Sequence, residues 1–554
     1  MAPAVHVVFP NQLYDPPIFP APDGRRQRVV LVEEPLFFHD AERRPHTPHK
    51  LKLAFLRAAM RQYAAAHPGL EYVEHADAPA LFARLRSSSE QVSLHYPHDR
   101  EVLRRYRELV PARRLRVLED PCHFVGVAPP TTQRESGTER ETPSCPPAPT
   151  GTRPHRPVGP SRDPTGAARA GRCGSRGRSV SLRAVYGAAR ARLGVLVGQP
   201  STDRQNRRRL PRGHAPAPRP EYGGPAYDEA AAYVSARFAR HPGGLEGLRR
   251  LPTTHAGARA HLARFLRERF ARFGPYQDAV HDADPVVYHA HVSYLLNCGL
   301  LQPRDVALAA ARAARRGRVP LSSLEGFVRQ LLGWREYMRA IYEAHHDELA
   351  PLFADARARL PQAWYDGTTG VAPLDAEIRK LHAEAWAHHI VRLMLFLNYL
   401  VLDEQPPAAI CRWFSEMVAL DAYEWVMWSN IAAMGFFDGR FTRKPYLSSS
   451  AYVRRMSNYA EDGSGWAARW DALFYGYLRR HEAALVGKRA VLRLALLALR
   501  RQPRGQELLE PSGSAMRSGA PSSRASKGGF SRRAREDGPA LPRAPRRAGL
   551  LARL

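Results

Sequence analysis

Cysteine is scarce and scattered. Cys122, Cys145, Cys173, Cys298 and Cys411 form no CxxC pair, which argues against an oxidised disulfide framework and fits a reduced intracellular setting. Long apolar runs are missing as well. The longest, LMLFLNYLVL, is about half of the roughly 20 residues that a bilayer requires, so no membrane partner is expected. Met1 is followed almost at once by a β-branched run, leaving no room for a transit peptide; a soluble monomer of nucleus or cytoplasm is the expectation. Acids are few beside bases: 53 Asp and Glu against 83 Lys and Arg give a formal charge of +30. That excess suggests a polyanionic partner, but its distribution weakens the inference. About 18 Arg against about 5 acids lie between Pro130 and Pro220, and about 13 basic residues against about 4 acids follow Leu499. Both segments have little core-forming content.

At 554 residues the chain exceeds a single hydrophobic core. AVHVVF, RVVLVEEPLFF and LEYVEH read as strands with a helix from about Lys50 to Ala66 before the third, an order that implies a parallel, doubly wound α/β sheet. In such sheets ligands sit beyond the carboxyl ends of the strands, which singles out Asn11, Gln12, Leu13, Glu33 and Glu34; ordinary strand-end residues are the other reading. From Val127 the chain turns rich in Pro, Gly, Ser, Thr and Arg without an apolar period. The expected division is an α/β domain at 1–126, a basic, partly disordered linker at 127–226, a helical domain at 227–500 and a disordered basic tail at 501–554. Within the linker, 127–179 reads as translated intron or as a disordered insertion.

In the helical part, LPTTHAGARAHLARFLRERF starts with a capping-type Thr and runs as an amphipathic helix. In PLDAEIRKLHAEAWAHHIVRLMLFLNYLVL, Leu374, Ile378, Leu381, Ala385, His388, Leu393, Phe396 and Leu400 recur at three- and four-residue steps with one step of five, predicting an amphipathic helix with one buried stripe. His388 falls on its buried stripe and His389 about 100° round it. A buried imidazole is either a satisfied core residue or a proton donor facing a pocket.

The blocks FVRQLLGWREYMR, AHHIVRLM, DAYEWVM, DGRFTRKPY and SAYVRRMSNY, with FPNQL, VEEPLFF and PHKLKLAFLRAAMR nearer the start, resemble the photolyase/cryptochrome superfamily. The resemblance covers roughly residues 3–122 and 181–500 and is closest to the deoxyribodipyrimidine photolyase-related branch that includes prokaryotic (6-4) photolyases. It implies a Rossmann-like antenna domain and an all-α FAD-binding domain, with an antenna chromophore of lumazine, deazaflavin or folate type in the first. It further implies light-driven repair of UV-damaged DNA, (6-4) photoproducts above all; a blue-light photoreceptor without repair activity is the alternative, and a nonfunctional product a third reading, since a Gly-Lys-Trp segment of the family is missing between Gly198 and Thr202.

Carried onto this chain, the resemblance assigns Tyr276, Ser293, Asn297, Glu325, Arg329, Gln330, Trp334, Arg335, Asp421 and Asn430 to FAD, with Arg335 pairing Asp421 beside the flavin ring. Asn297 serves equally as a helix cap before Gly299. His388 and His389 become proton donors to the lesion, Tyr446 a lesion-pocket residue, and Arg443, Lys444, Arg454 and Arg455 phosphate contacts. Trp413 and Trp364 are the expected electron carriers, packing being their other role. Phe414, next to Trp413, is hard to oxidise. The four cluster-ligating cysteines of bacterial relatives fall here at about Pro373, Ala460, Gly463 and Ala468, so no iron–sulfur cluster is expected and RMSNYAEDGSGWAARW should close the domain by packing.

Overall fold

The computed structural model describes residues 4–19, 27–125, 180–435, 441, 446–460 and 463–482. Short runs rich in Val and Leu build β1 (Ala4–Val8), β2 (Gln27–Val32), β3 (Leu70–Val73), β4 (Gln91–His95) and β5 (Leu115–Leu118). All neighbours pair in parallel in the order β3-β2-β1-β4-β5, with Val7 opposite Val30 on one side and Leu94 on the other. The order reverses between β1 and β4, the switch point of a doubly wound sheet. The expected α/β class is present, followed by a mostly helical region.

The residues singled out at the strand ends do stand there, with most of their polar groups spent on the protein, while the buried Asn11 Oδ1 has no partner. Glu33 takes Arg57 Nη1 at 2.9 and 3.1 Å and the His75 amide at 2.7 Å, and Glu34 holds Arg105 and the Tyr106 hydroxyl. Asn11 Nδ2 donates to Pro97 O at 2.7 Å and Gln12 Nε2 to His95 O at 3.1 Å. The Leu13 amide bonds Cys298 O at 3.0 Å, joining the sheet to the helical region.

Part of the expected linker is folded. Helix Leu182–Leu193 lays Tyr186 against Gly333, where an added Cβ would stand 3.3 Å from the ring. Thr202 and Asn206 then tie the following strap to Glu325 and Gln277. Helix Pro225–Arg237 packs on helix Lys50–Ala66 of the α/β unit, with Glu229 on Arg57, rather than opening a separate helical body. The readings for 127–179 and 501–554 lie outside the described residues.

Thr254 caps its helix as expected, accepting from the Gly257 amide at 3.1 Å. The continuous helix over Leu374–Leu400 is not formed. Helix Ala372–Glu384 stops at Ala385, which takes φ +47°, and 386–388 are non-helical before the chain resumes. The Ala385 carbonyl accepts from the Leu420 amide at 3.1 Å instead of continuing the helix. Tertiary pairing here overrides a pattern that has no local breaker. Beyond the break lies a widened π turn, Val391–Leu397; a second, Arg329–Trp334, sits between helices Leu321–Val328 and Arg335–Phe353. Trp466 and Trp470 are fully buried and bond Ala460 O and Ser448 O at 3.2 and 3.1 Å, so the segment expected to close the domain does pack.

Candidate cofactor site and reaction pocket

Wide π turns recur at functional sites because they push side chains out of helical register. The two here face the same hollow, of about 960 Å³. Arg329, Gln330, Leu331 and Trp334 enter it from one turn, and Arg392, Leu393, Met394 and Leu397 from the other. Phe273, Phe327, Met427 and Ile431 add to an apolar wall.

Asp421 organises the polar side. Its carboxylate receives Arg392 Nη1 and Nη2 at 2.8 and 2.9 Å, a two-pronged match of planar groups. Ser293 Oγ also donates to it and itself accepts from Trp386 Nε1 at 3.0 Å. Asn297 Nδ2 donates to Asp421 O at 3.0 Å. Gly299 does follow with φ +94°, ending the short helix Ser293–Cys298. The expected Arg335–Asp421 pair is absent: Arg335 donates to His123 O at 2.6 Å and Asn297 Oδ1 at 3.2 Å, with its plane over Phe124. Arg392, which sequence reasoning missed, takes that place. Its only signal was a lone cation inside the apolar run IVRLM.

Trp334 Nε1 donates to Asn430 Oδ1 at 2.8 Å on the wall, and Arg329 reaches Asp203 at 3.1 Å near the mouth. Two predicted cofactor residues do not reach the hollow. Glu325 is fully buried one turn before the widening and accepts from the Thr202 amide and hydroxyl. Tyr276 packs on Tyr288 at 5.3 Å. Tyr446 lines the hollow, its hydroxyl pushed up to about 12 by burial. Arg455 lines it too, while Arg454 is exposed on helix Ser450–Met456; Arg443 and Lys444 lie outside the described residues.

The histidine doublet opens onto the hollow together with a third ring. His388 is buried, its Nδ1 has no partner, and its ring stacks on His289 at 4.2 Å and 11°. His389 lies 5.3 Å from His289. Burial, then the neighbouring imidazoles, hold His388 well below the ordinary histidine range; burial and His289 do so for His389. Burial takes His289 down to about 4 against the pull of two carbonyls. His289 was not foreseen, since it comes from the YHAHVSY segment about 100 residues earlier in the chain.

Trp413 and Trp364 are buried 5.5 Å apart, and Trp413 Nε1 donates to Trp364 O at 2.8 Å. Phe414, 5.1 Å from Trp413, is the ring that reaches the hollow. Tyr399, 6.0 Å from Trp364, extends the aromatic path to Trp470 at 5.1 Å.

Two family descriptions match this chain. Residues 6–129 match deoxyribodipyrimidine photo-lyase-related protein, and residues 327–444, which contain both π turns, Arg392 and Asp421, match the FAD binding domain of DNA photolyase. The chain belongs to the photolyase/cryptochrome superfamily. Over 244 residues it is 38% identical to a (6-4) photolyase of Agrobacterium fabrum, covering 42% of this chain and 48% of that protein. It thus spans about half the length of that relative. An uncharacterised protein of Acanthamoeba polyphaga mimivirus, R855, is 37% identical over 117 residues, 21% of this chain and 89% of its own. Among solved structures, a Synechocystis sp. PCC6803 cryptochrome has a TM-score of 0.48 at 12% identity, covering 87% of this chain and 90% of its own. A class III photolyase from Agrobacterium tumefaciens has a TM-score of 0.48 at 14% identity, covering 85% and 87%.

The hollow fits the cofactor of this superfamily. A flavin dinucleotide needs apolar walls for its ring and unspent donors for its polar edge and phosphates. Trp425 Nε1, Arg335 Nε and His291 Nε2 belong to wall residues, are buried and have no partner.

Proposed function

We propose that this chain is a light-driven, FAD-dependent DNA photolyase acting on UV pyrimidine lesions of the (6-4) type. The observation that carries the reading is the unpartnered, buried His388 Nδ1 in the wall of the same hollow that Asp421 and Arg392 organise. FAD, when bound and reduced, would supply an electron to the lesion and take it back. The chain's own side chains supply the rest. Asp421 and Arg392 fix the charge beside the ring site, Trp334 and Asn430 hold the wall, and the apolar lining excludes water.

A lesion must leave the duplex to enter such a hollow, and a damaged pair costs less to open than an intact one. Arg209 and Arg455 line the hollow and suit strand phosphates. Moving a hydroxyl between bases needs a proton at the transferring oxygen, which His388 and His389 are positioned to hold. Their depressed basicity rises once an anionic or hydrogen-bonding lesion group faces them, because a nearby negative charge favours the imidazolium. Tyr446 closes the same pocket. Among the described residues no helix is long and apolar enough to cross a membrane.

The test is an oligonucleotide carrying a single (6-4) photoproduct, illuminated with blue light in the presence of flavin-loaded protein and a reductant. Restoration of the two pyrimidines supports the reading. Full flavin loading with no change in the lesion favours the photoreceptor alternative instead.

A further inference from the structure

The histidine cluster holds more nitrogen than a neutral site can satisfy. His289 Nδ1 lies 3.1 Å from Val286 O and Nε2 lies 3.1 Å from Gln277 O. A neutral imidazole owns one N–H, so one of these contacts sets a lone pair against a carbonyl lone pair. His388 Nδ1 is a second buried nitrogen without a partner. One nitrogen from each of His289, His388 and His389 lies within 4.8 Å of the others. Such a group calls for a cation.

We propose that His289, His388 and His389 form a binding site for one divalent transition-metal ion of the zinc class, with the Gln277 carbonyl as a further donor. Three neutral imidazoles are a donor set such ions favour. An ion about 2.1 Å from His289 Nε2 and about 2.2 Å from the Gln277 oxygen spans their gap at near a right angle. His289 Nδ1–H, donated to Val286 O, is then the outer hydrogen bond that orients a ligating ring. Metal–nitrogen bonds of about 2.0–2.1 Å at tetrahedral angles bring the nitrogens to about 3.3 Å apart. His388 must therefore turn out of its stack on His289 as the nitrogens draw together, which the non-helical stretch at 386–388 and the π turn beyond it allow better than a continuous helix would.

The competing occupant is a proton on His289, donated to both carbonyls. Burial opposes it, together with Arg269 from the helical region; the two carbonyls and Asp284 favour it. The site does not depend on the light-driven reading, since a metal would bind with or without repair. It uses the lone pairs on which His388 and His389 would carry a proton, so the metal-bound form is a resting form and the repair reading applies to the metal-free chain.

The flavin-loaded full chain, stripped with chelator and dialysed, is titrated with zinc chloride by calorimetry and with copper(II) chloride by electron paramagnetic resonance. The expected result is one ion per chain with nitrogen splittings from the three imidazoles, and roughly tenfold or greater weakening in His289→Ala and His389→Ala. His389 is partly exposed to the hollow, so its variant keeps the test valid where His289→Ala fails to fold. Absence of zinc binding, or binding that survives unchanged in both folded variants and so belongs elsewhere among the 23 histidines, overturns the proposal.

Discussion

Arg392 and Asp421 meet with both guanidinium Nη atoms on both carboxylate oxygens, at 2.8 and 2.9 Å, on the polar side of an otherwise apolar hollow. The arginine comes from a π turn and the aspartate from the short turn Ala419–Asp421. Neither element is regular helix. Their pairing makes the buried carboxylate tolerable and fixes a charge beside the ring site.

Removing one side of this pair should cost more than removing an unpaired cation. Arg392→Ala leaves Asp421 buried and uncompensated, an expected loss of about 3–5 kcal/mol, whereas Arg335→Ala leaves the Asp421 carboxylate with its two-pronged partner. Urea unfolding and flavin absorbance of the purified variants measure the difference. Equal losses would count against Asp421 as the organising charge.

His388→Ala should lower light-driven repair of a (6-4) lesion by roughly 10²–10⁴-fold, the range of positioned proton transfer. The flavin spectrum should be unchanged, because the ring site is built from Asp421 and the opposite turn. Repair rate per photon absorbed is the measurement.

Acid should destabilise this fold in a defined window. His261 and His289 are held at about 4 by burial, below their ordinary 6.5. The unfolded chain binds their protons first, so their contribution is complete above about 6.5 and falls away as pH drops towards about 4. Glu33 and Glu34, raised by burial, act in the opposite sense above the ordinary 4.5. Melting temperatures between pH 7 and 4 should therefore decline, and less steeply in His261→Phe.

Gly299→Ala should loosen the junction between sheet and helices. The position has φ +94°, and an added Cβ would stand 2.9 Å from the Leu13 amide nitrogen and the Tyr14 ring. Positive φ and the clash together predict a loss of about 1–3 kcal/mol in denaturant unfolding.

Photoreduction of bound flavin should slow by an order of magnitude in Trp413→Phe. In Phe414→Tyr it should speed up, because Phe414 is the ring at the hollow and tyrosine is far easier to oxidise. A flash-photolysis rate unmoved by either change would assign Trp413 to packing alone.

Three strands of the sheet were legible because β-branched runs around a helix are local patterns whose order implies parallel pairing, whereas β4 and β5 went unread. The family blocks placed the cofactor region for the same reason. The helix through His388 was misread because nothing at Ala385 signals a stop: only the hydrogen bond from Leu420, thirty-five residues on, takes its carbonyl out of the helix. The resemblance reached back to residue 181, but that Leu182–Leu193 is a helix anchored by Tyr186 on Gly333 was not read from the sequence.

Residue order by itself determined the two kinds of architecture and the histidine doublet, since each depends on neighbours within a few positions. Which arginine meets Asp421, that Glu325 turns away, and that His289 joins His388 and His389 were decided only on folding. Those outcomes rest on contacts between segments far apart in the chain, where burial forces every charge and ring nitrogen to find a partner and the nearest one in space is not the nearest in sequence.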